Sequence, residues 1–244
     1  MDLPFETSEY YDRQEMLFSQ LPSSSIVIIP TNERKTRSND VGYPFRPNSY
    51  MLYLCGWKED EGVFIAHNRN GVLESKLYVP PRDTSKEIWE GIRIGVEGAE
   101  SWPVDTTSSV ENFESEITQM IGQFENVYAI LGISEELDKI CNDVEGLSDP
   151  RTFLDPMRRV KSKVEIKHMQ EAATIASNAH ILAMKNSTPG MGEWEIQSYV
   201  EGHFMRSKST WSFPSIVGSG SNATILHYKA NDCTIIGGDL VLVD

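Results

Sequence analysis

Two residues near the end of the sequence have side chains suited to hydrolytic chemistry. His227 follows the apolar pair Ile225-Leu226 and precedes Tyr228, and Asp244 follows Leu240-Val241-Leu242-Val243. A carboxylate at the end of an apolar strand is held on a rigid element, and its hard oxygens suit divalent ions such as Mn²⁺. An imidazole with the ordinary pKa of about 6.5 offers one hydrogen-bond donor at neutral pH. On residue type and spacing alone, a turn aspartate and a half-buried strand histidine are the more economical readings.

The remaining candidates carry less. Gly218-Ser219-Gly220-Ser221-Asn222-Ala223 has the glycine content of a phosphate loop, but it lacks the Gly-Lys-Ser/Thr ending and precedes a strand pattern. His67, His168, His180 and His203 share no metal-type spacing with one another or with carboxylates. Cys55, Cys141 and Cys233 are an odd, widely spaced set, which fits reduced thiols in the cytoplasm and offers no nucleophile signature.

The elements that must position these residues follow from periodicity. Residues 215–217, 224–226 and 240–243 are short apolar runs between Gly, Asn and Asp, the pattern of strands joined by turns. Upstream, Ser25–Pro30 predicts a fully buried strand. Residues 50–54, 63–66, 77–79 and 127–131 are further strand candidates. Helical patterns cover 6–20, 86–94, 110–124 and Glu135–Cys141. This alternation predicts an α/β layer domain over residues 1–155. Pro150 and Pro156 bracket the change to a second domain, 156–244. There Ser162 and Glu165 form a capping box opening a helix that stops at Thr188-Pro189-Gly190. A second helix runs from Glu193 to about Ser207.

Composition excludes several classes. A net charge of −14, from 22 basic and 36 acidic side chains, works against polyanion binding, so no nucleic-acid partner is expected. No apolar run is long enough to cross a bilayer, so no membrane partner is expected. The start, Met1-Asp2-Leu3-Pro4, has no signal-peptide pattern.

Four stretches in order resemble the Xaa-Pro aminopeptidase (aminopeptidase P) family. They are Arg37-Ser38-Asn39-Asp40 with Tyr43-Pro44-Phe45-Arg46-Pro47-Asn48-Ser49-Tyr50; Glu87-Ile88-Trp89-Glu90-Gly91; Met157-Arg158 with Lys161-Ser162 and Glu165-Ile166; and Ile225-Leu226-His227-Tyr228 with Gly238-Asp239-Leu240-Val241-Leu242-Val243-Asp244. The resemblance implies a creatinase-like α/β N-terminal domain followed by the first part of an α+β pita-bread domain. It implies removal of the N-terminal residue from peptides with proline in second position, by two divalent ions, most often Mn²⁺. Two such ions about 3.5–4 Å apart share a hydroxide and lower its pKa.

In that family two Asp, one His and two Glu hold the ions, and Asp244 matches the first Asp. His227 matches a histidine that contacts the substrate carbonyl or oxyanion without binding metal. Trp89 and Asp40 match residues that reach a neighbouring subunit's peptide site, which implies a homo-oligomer built through the N-terminal domain. The other four ligands would lie beyond residue 244, so the expectation is a truncated catalytic domain, inactive alone. The alternatives are a prolidase-type dipeptidase and a non-catalytic chain that keeps only the oligomerisation role. Arg46 and Asn48 are expected to fix a loop.

Overall fold

The computed structural model describes residues 3–244 and divides into two compact units, Met1–Val160 and Lys161–Asp244. The first unit opens with α1 (Thr7–Phe18) and β1 (Ser25–Pro30). A short hairpin of β2 (Thr36–Ser38) and β3 (Val41–Gly42) follows, then α2 (Ser49–Cys55), β4 (Val63–Arg69) and β5 (Val72–Val79). Next come α3 (Thr84–Glu90), α4 (Gly95–Ala99) and β6 (Thr106–Ser109), and the unit closes with α5 (Phe113–Ile121), β7 (Asn126–Ala129), α6 (Glu135–Cys141) and α7 (Arg151–Arg159).

A five-stranded mixed sheet in the order β6-β5-β4-β1-β7 organises this unit. β1 pairs antiparallel with β4 and parallel with β7. Every residue of β1 is buried, as its unbroken apolar run requires of a strand covered on both faces. Successive side chains alternate between two cores. Val27 and Ile29 join Leu17, Met51, Leu54 and Trp57 on one face, while Ile26 and Ile28 join Phe113, Ile117 and Leu137 on the other. An α/β layer arrangement is what the alternation of patterns predicts.

Two local expectations fail. Residues 50–54 are helical, inside α2. Asn48 caps that helix by accepting a hydrogen bond from the Tyr50 N–H (2.9 Å), and Gly56 ends it with φ 70°. Met51, Leu54 and Cys55, at helical spacing, are its buried face. Asn48 also donates from Nδ2 to the Pro30 carbonyl (3.0 Å), and Arg46 donates to the Pro47 carbonyl and the Ser49 hydroxyl, so both residues fix this loop. The helix expected over 86–94 ends at Glu90, because Gly91 adopts φ 92°, and the chain turns before α4.

The second unit holds α8 (Lys163–Asn186), α9 (Glu193–Arg206), β8 (Val217–Ser219) and β9 (Val241–Val243), with β8 and β9 antiparallel. Ser162 starts α8 through a capping box. Its Oγ accepts from the Glu165 N–H (3.2 Å), and the Glu165 carboxylate accepts from the Ser162 N–H (2.8 Å). Ala179 and Ala183 of α8 meet Ile196 and Val200 of α9, with Val217 and Ile235 completing a small core.

A candidate metal and peptide site

Asp244 lies one residue past β9. Its N–H donates to the Ile216 carbonyl (2.9 Å) and its carbonyl accepts from the Ile216 N–H (2.7 Å), so the backbone is fixed on both sides. The carboxylate is exposed and makes no hydrogen bond or ion pair among the described residues. Asp244 lines a cavity of about 440 Å³ with His180 of α8, Phe204 of α9, and Trp211, Phe213 and Val243. A free carboxylate on a rigid backbone beside an apolar wall suits a hard divalent ion as one ligand. It does not complete a site: such ions take several oxygen donors, and among the described residues no second carboxylate lines this cavity. Nothing at helical spacing pairs with His180 in the sequence. Its place in the cavity with Asp244 comes from the tertiary fold, in which α8 packs against α9.

His227 is not at the end of a strand. Residues 224–226, expected as a strand, belong to a 3₁₀ turn (Gly220–Thr224) and the turn that follows it. Local bonds explain the difference. Thr224 Oγ1 donates to the Ser221 carbonyl (2.8 Å), the Ile225 N–H to the Asn222 carbonyl (3.0 Å), and the Tyr228 N–H to the Ile225 carbonyl (3.3 Å). Gly218 makes the turn possible, because a Cβ there would come within 2.8 Å of the Asn222 carbonyl oxygen. The His227 side chain is exposed and forms no hydrogen bond or ion pair with Asp244 or any other described residue.

Next to His227 lies a buried polar hub that sequence reasoning missed. Glu193, the first residue of α9, is fully buried. Its Oε1 accepts from the Ser219 N–H (2.7 Å), the Ser219 hydroxyl (2.8 Å) and Asn222 Nδ2 (3.3 Å). Its Oε2 accepts from the Tyr228 hydroxyl (2.9 Å) and the Cys233 N–H (3.1 Å). Burial alone would raise the pKa of this carboxyl. The Cys233 and Ser219 donors and the Tyr228 hydroxyl outweigh burial and bring it down to about 2. Burial, with the Glu193 bond, raises the pKa of Tyr228 and keeps it a phenol. Glu193, Asp232 and Cys233 are the one group among the described residues with three metal-type ligand atoms in mutual reach. The Glu193 oxygens, however, are already satisfied by these donors.

Trp89 and Asp40 belong to the first unit. Trp89 on α3 is 89% exposed, with Ile88 at 82% and Ile92 at 81% beside it. Asp40 sits exposed in the tight turn between β2 and β3, after Asn39 at φ 51°. Neither side chain is held by a partner among the described residues.

The profile of the aminopeptidase P N-terminal domain matches residues 10–128, and that of metallopeptidase family M24 matches residues 167–244. An Xaa-Pro aminopeptidase of Haemophilus influenzae is 34% identical over 242 residues, covering 97% of this chain and 56% of its own length. The Escherichia coli Xaa-Pro aminopeptidase is 32% identical, covering 97% of this chain and 58% of its own. The solved structure of E. coli aminopeptidase P with the inhibitor Pro-Leu superposes at a TM-score of 0.93 and 31% identity, over 98% of this chain and 58% of that one. The chain thus spans less than three fifths of the length of these relatives.

Proposed function

The chain belongs to the aminopeptidase P group of the M24 metallopeptidases, and from that premise we propose that it serves metal-dependent release of the N-terminal residue from peptides with proline in second position. The observation that supports this reading most is Asp244: a carboxylate without a partner among the described residues, on a doubly fixed backbone and lining a cavity with an apolar wall. Asp244 would be one ligand of a pair of divalent ions, most often Mn²⁺, whose contribution is activation of water for attack on the peptide carbonyl. His227, exposed on a turn in the same unit, would donate a hydrogen bond to the carbonyl oxygen as negative charge develops there.

The test uses the full-length gene product with Mn²⁺, a tripeptide and a dipeptide, each with proline second. Hydrolysis of the tripeptide supports the aminopeptidase reading, and cleavage of the dipeptide alone supports a prolidase-type enzyme. His227→Ala is expected to lower kcat by about 10²–10³ while metal content stays unchanged, the usual loss for one oxyanion donor. If His227→Ala loses its metal instead, the residue belongs with the ligands.

The exposed Ile88-Trp89-Ile92 surface favours a second, compatible role for the first unit, assembly of a homo-oligomer. Trp89→Ala is expected to shift the mass measured by light scattering towards the monomer; an unchanged mass would remove Trp89 from the interface. A reducing compartment such as the cytoplasm fits the free cysteines Cys55, Cys141 and Cys233. Among the described residues no helix is long and apolar enough to cross a membrane.

A further inference from the structure

We propose that Tyr228 and Glu193 are positioning residues for His227, holding the loop that carries it through one part-buried hydroxyl–carboxylate contact. This rests on the role assigned above to His227. The loop after the 3₁₀ turn has no strand pairing around His227, so something else must fix it. Two pins do. At the first, the Tyr228 hydroxyl donates to Glu193 Oε2 (2.9 Å) and lies 3.0 Å from Asp232 Oδ1, while Asn222 Nδ2 donates to its oxygen (3.1 Å). At the second, buried Asn231, at φ 47°, accepts from the Val217 N–H (2.9 Å) and donates to the Ser215 carbonyl (2.8 Å) and Gln197 Oε1 (2.9 Å).

The two pins have different reach. Asn231 ties the far side of the loop to β8, four residues from His227. Tyr228 is the neighbour of His227 in the chain, and its ring spans from the surface turn to a carboxylate with no solvent exposure. Glu193 in turn holds Ser219 at the end of β8 and the Cys233 N–H, so one carboxylate fixes both margins of the loop. An exposed imidazole on an unpinned turn would sample many orientations, whereas a catalytic hydrogen bond needs one. The low pKa of Glu193 keeps it an acceptor over the whole neutral range, so the pin does not titrate where a hydrolase works.

Tyr228→Phe removes the hydroxyl and little else. In the full chain, hydrogen exchange at the Ile225 and Tyr228 amides, which close the turn, is expected to speed up about tenfold. The Ile235 and Glu193 amides, held by backbone bonds, should not change. In the full-length gene product, Tyr228→Phe should lower kcat for a Pro-containing tripeptide about tenfold at unchanged KM and metal content. It should lower kcat no further when His227 is already alanine, because a residue that acts through His227 has nothing left to position. Should Tyr228→Phe unfold the unit, Asn222→Ala, which removes one partner of the hydroxyl, carries the same comparisons. Unchanged exchange at Ile225 and Tyr228 overturns the pin. An equal drop in kcat with and without His227 overturns the positioning role. A wild-type protein without peptidase activity refutes the functional reading itself, and the exchange measurement then decides the pin alone.

Discussion

Glu193→Ala is expected to destabilise the Lys161–Asp244 unit by about 4 kcal/mol, a large share of what holds a small unit together. The substitution leaves the Ser219 N–H and hydroxyl and the Cys233 N–H without their acceptor, while the Tyr228 hydroxyl loses Glu193 and is left with Asp232 Oδ1 (3.0 Å). Each buried donor left unpaired costs about 1–3 kcal/mol, and water entering the vacated space offsets part of the sum. The same carboxylate gives the unit a dependence on pH. Its pKa is 4.5 in ordinary surroundings and about 2 in the folded protein. The stabilisation, roughly 3 kcal/mol by linkage, is therefore present above about 4.5 and is lost as pH falls from there towards 2. Glu193→Gln should lose stability at neutral pH and lack this acid-dependent term. Urea titrations of the full chain at pH 7 and pH 3, followed by the fluorescence of Trp194 and Trp211, make the comparison. A midpoint for Glu193→Ala within error of wild type would show that the hub carries no stability.

Why the hub escaped the sequence is a matter of range. A glutamate in the first turn of a helix reads as a solvated group favoured by the helix dipole, and nothing local marks Glu193 as buried. Its donors come from positions 219, 222, 228 and 233, and only the closed fold brings them together. What was legible depended on short-range rules. The run in β1 gave a fully buried strand, and Ser162 with Glu165 gave the start of α8. The same rules misled at residues 50–54, where aromatic and aliphatic residues suggest a strand. Asn48 and Gly56, which cap α2, lie just outside that run. At 224–226 the Thr224 side-chain bond and the backbone turn bonds beside it outcompeted the strand pattern.

The candidate site divides along similar lines. Asp244, His227, Trp89 and Asp40 stand out only through the family resemblance, because their local spacing is that of turn and surface residues. For Asp244 the fold adds a fixed backbone and a cavity wall that includes His180. For His227 it replaces the expected strand end with a turn whose next residue, Tyr228, is bonded to Glu193.

That difference sets the expected result for Asp244→Ala, the largest of the expected effects on activity. The Asp244 carboxylate is exposed and makes no bond among the described residues, and both bonds to Ile216 are made by its backbone. Alanine keeps those bonds and the β8–β9 register, so stability should change by no more than about 0.5 kcal/mol, as for other surface substitutions. A hard divalent ion, by contrast, loses a charged oxygen donor from a set in which every ligand counts. In the full-length gene product, metal content and hydrolysis of a Pro-containing tripeptide should therefore fall together, with activity down by more than about 10³. Asp244→Asn keeps the shape and one oxygen but not the charge, and should bind metal more weakly than wild type and more tightly than alanine. The pairing with Glu193 is diagnostic: one acidic residue should govern stability and the other metal binding, although both stand in the same unit. Retention of full metal content by Asp244→Ala would remove this residue from the ligand set and leave its free carboxylate without a function.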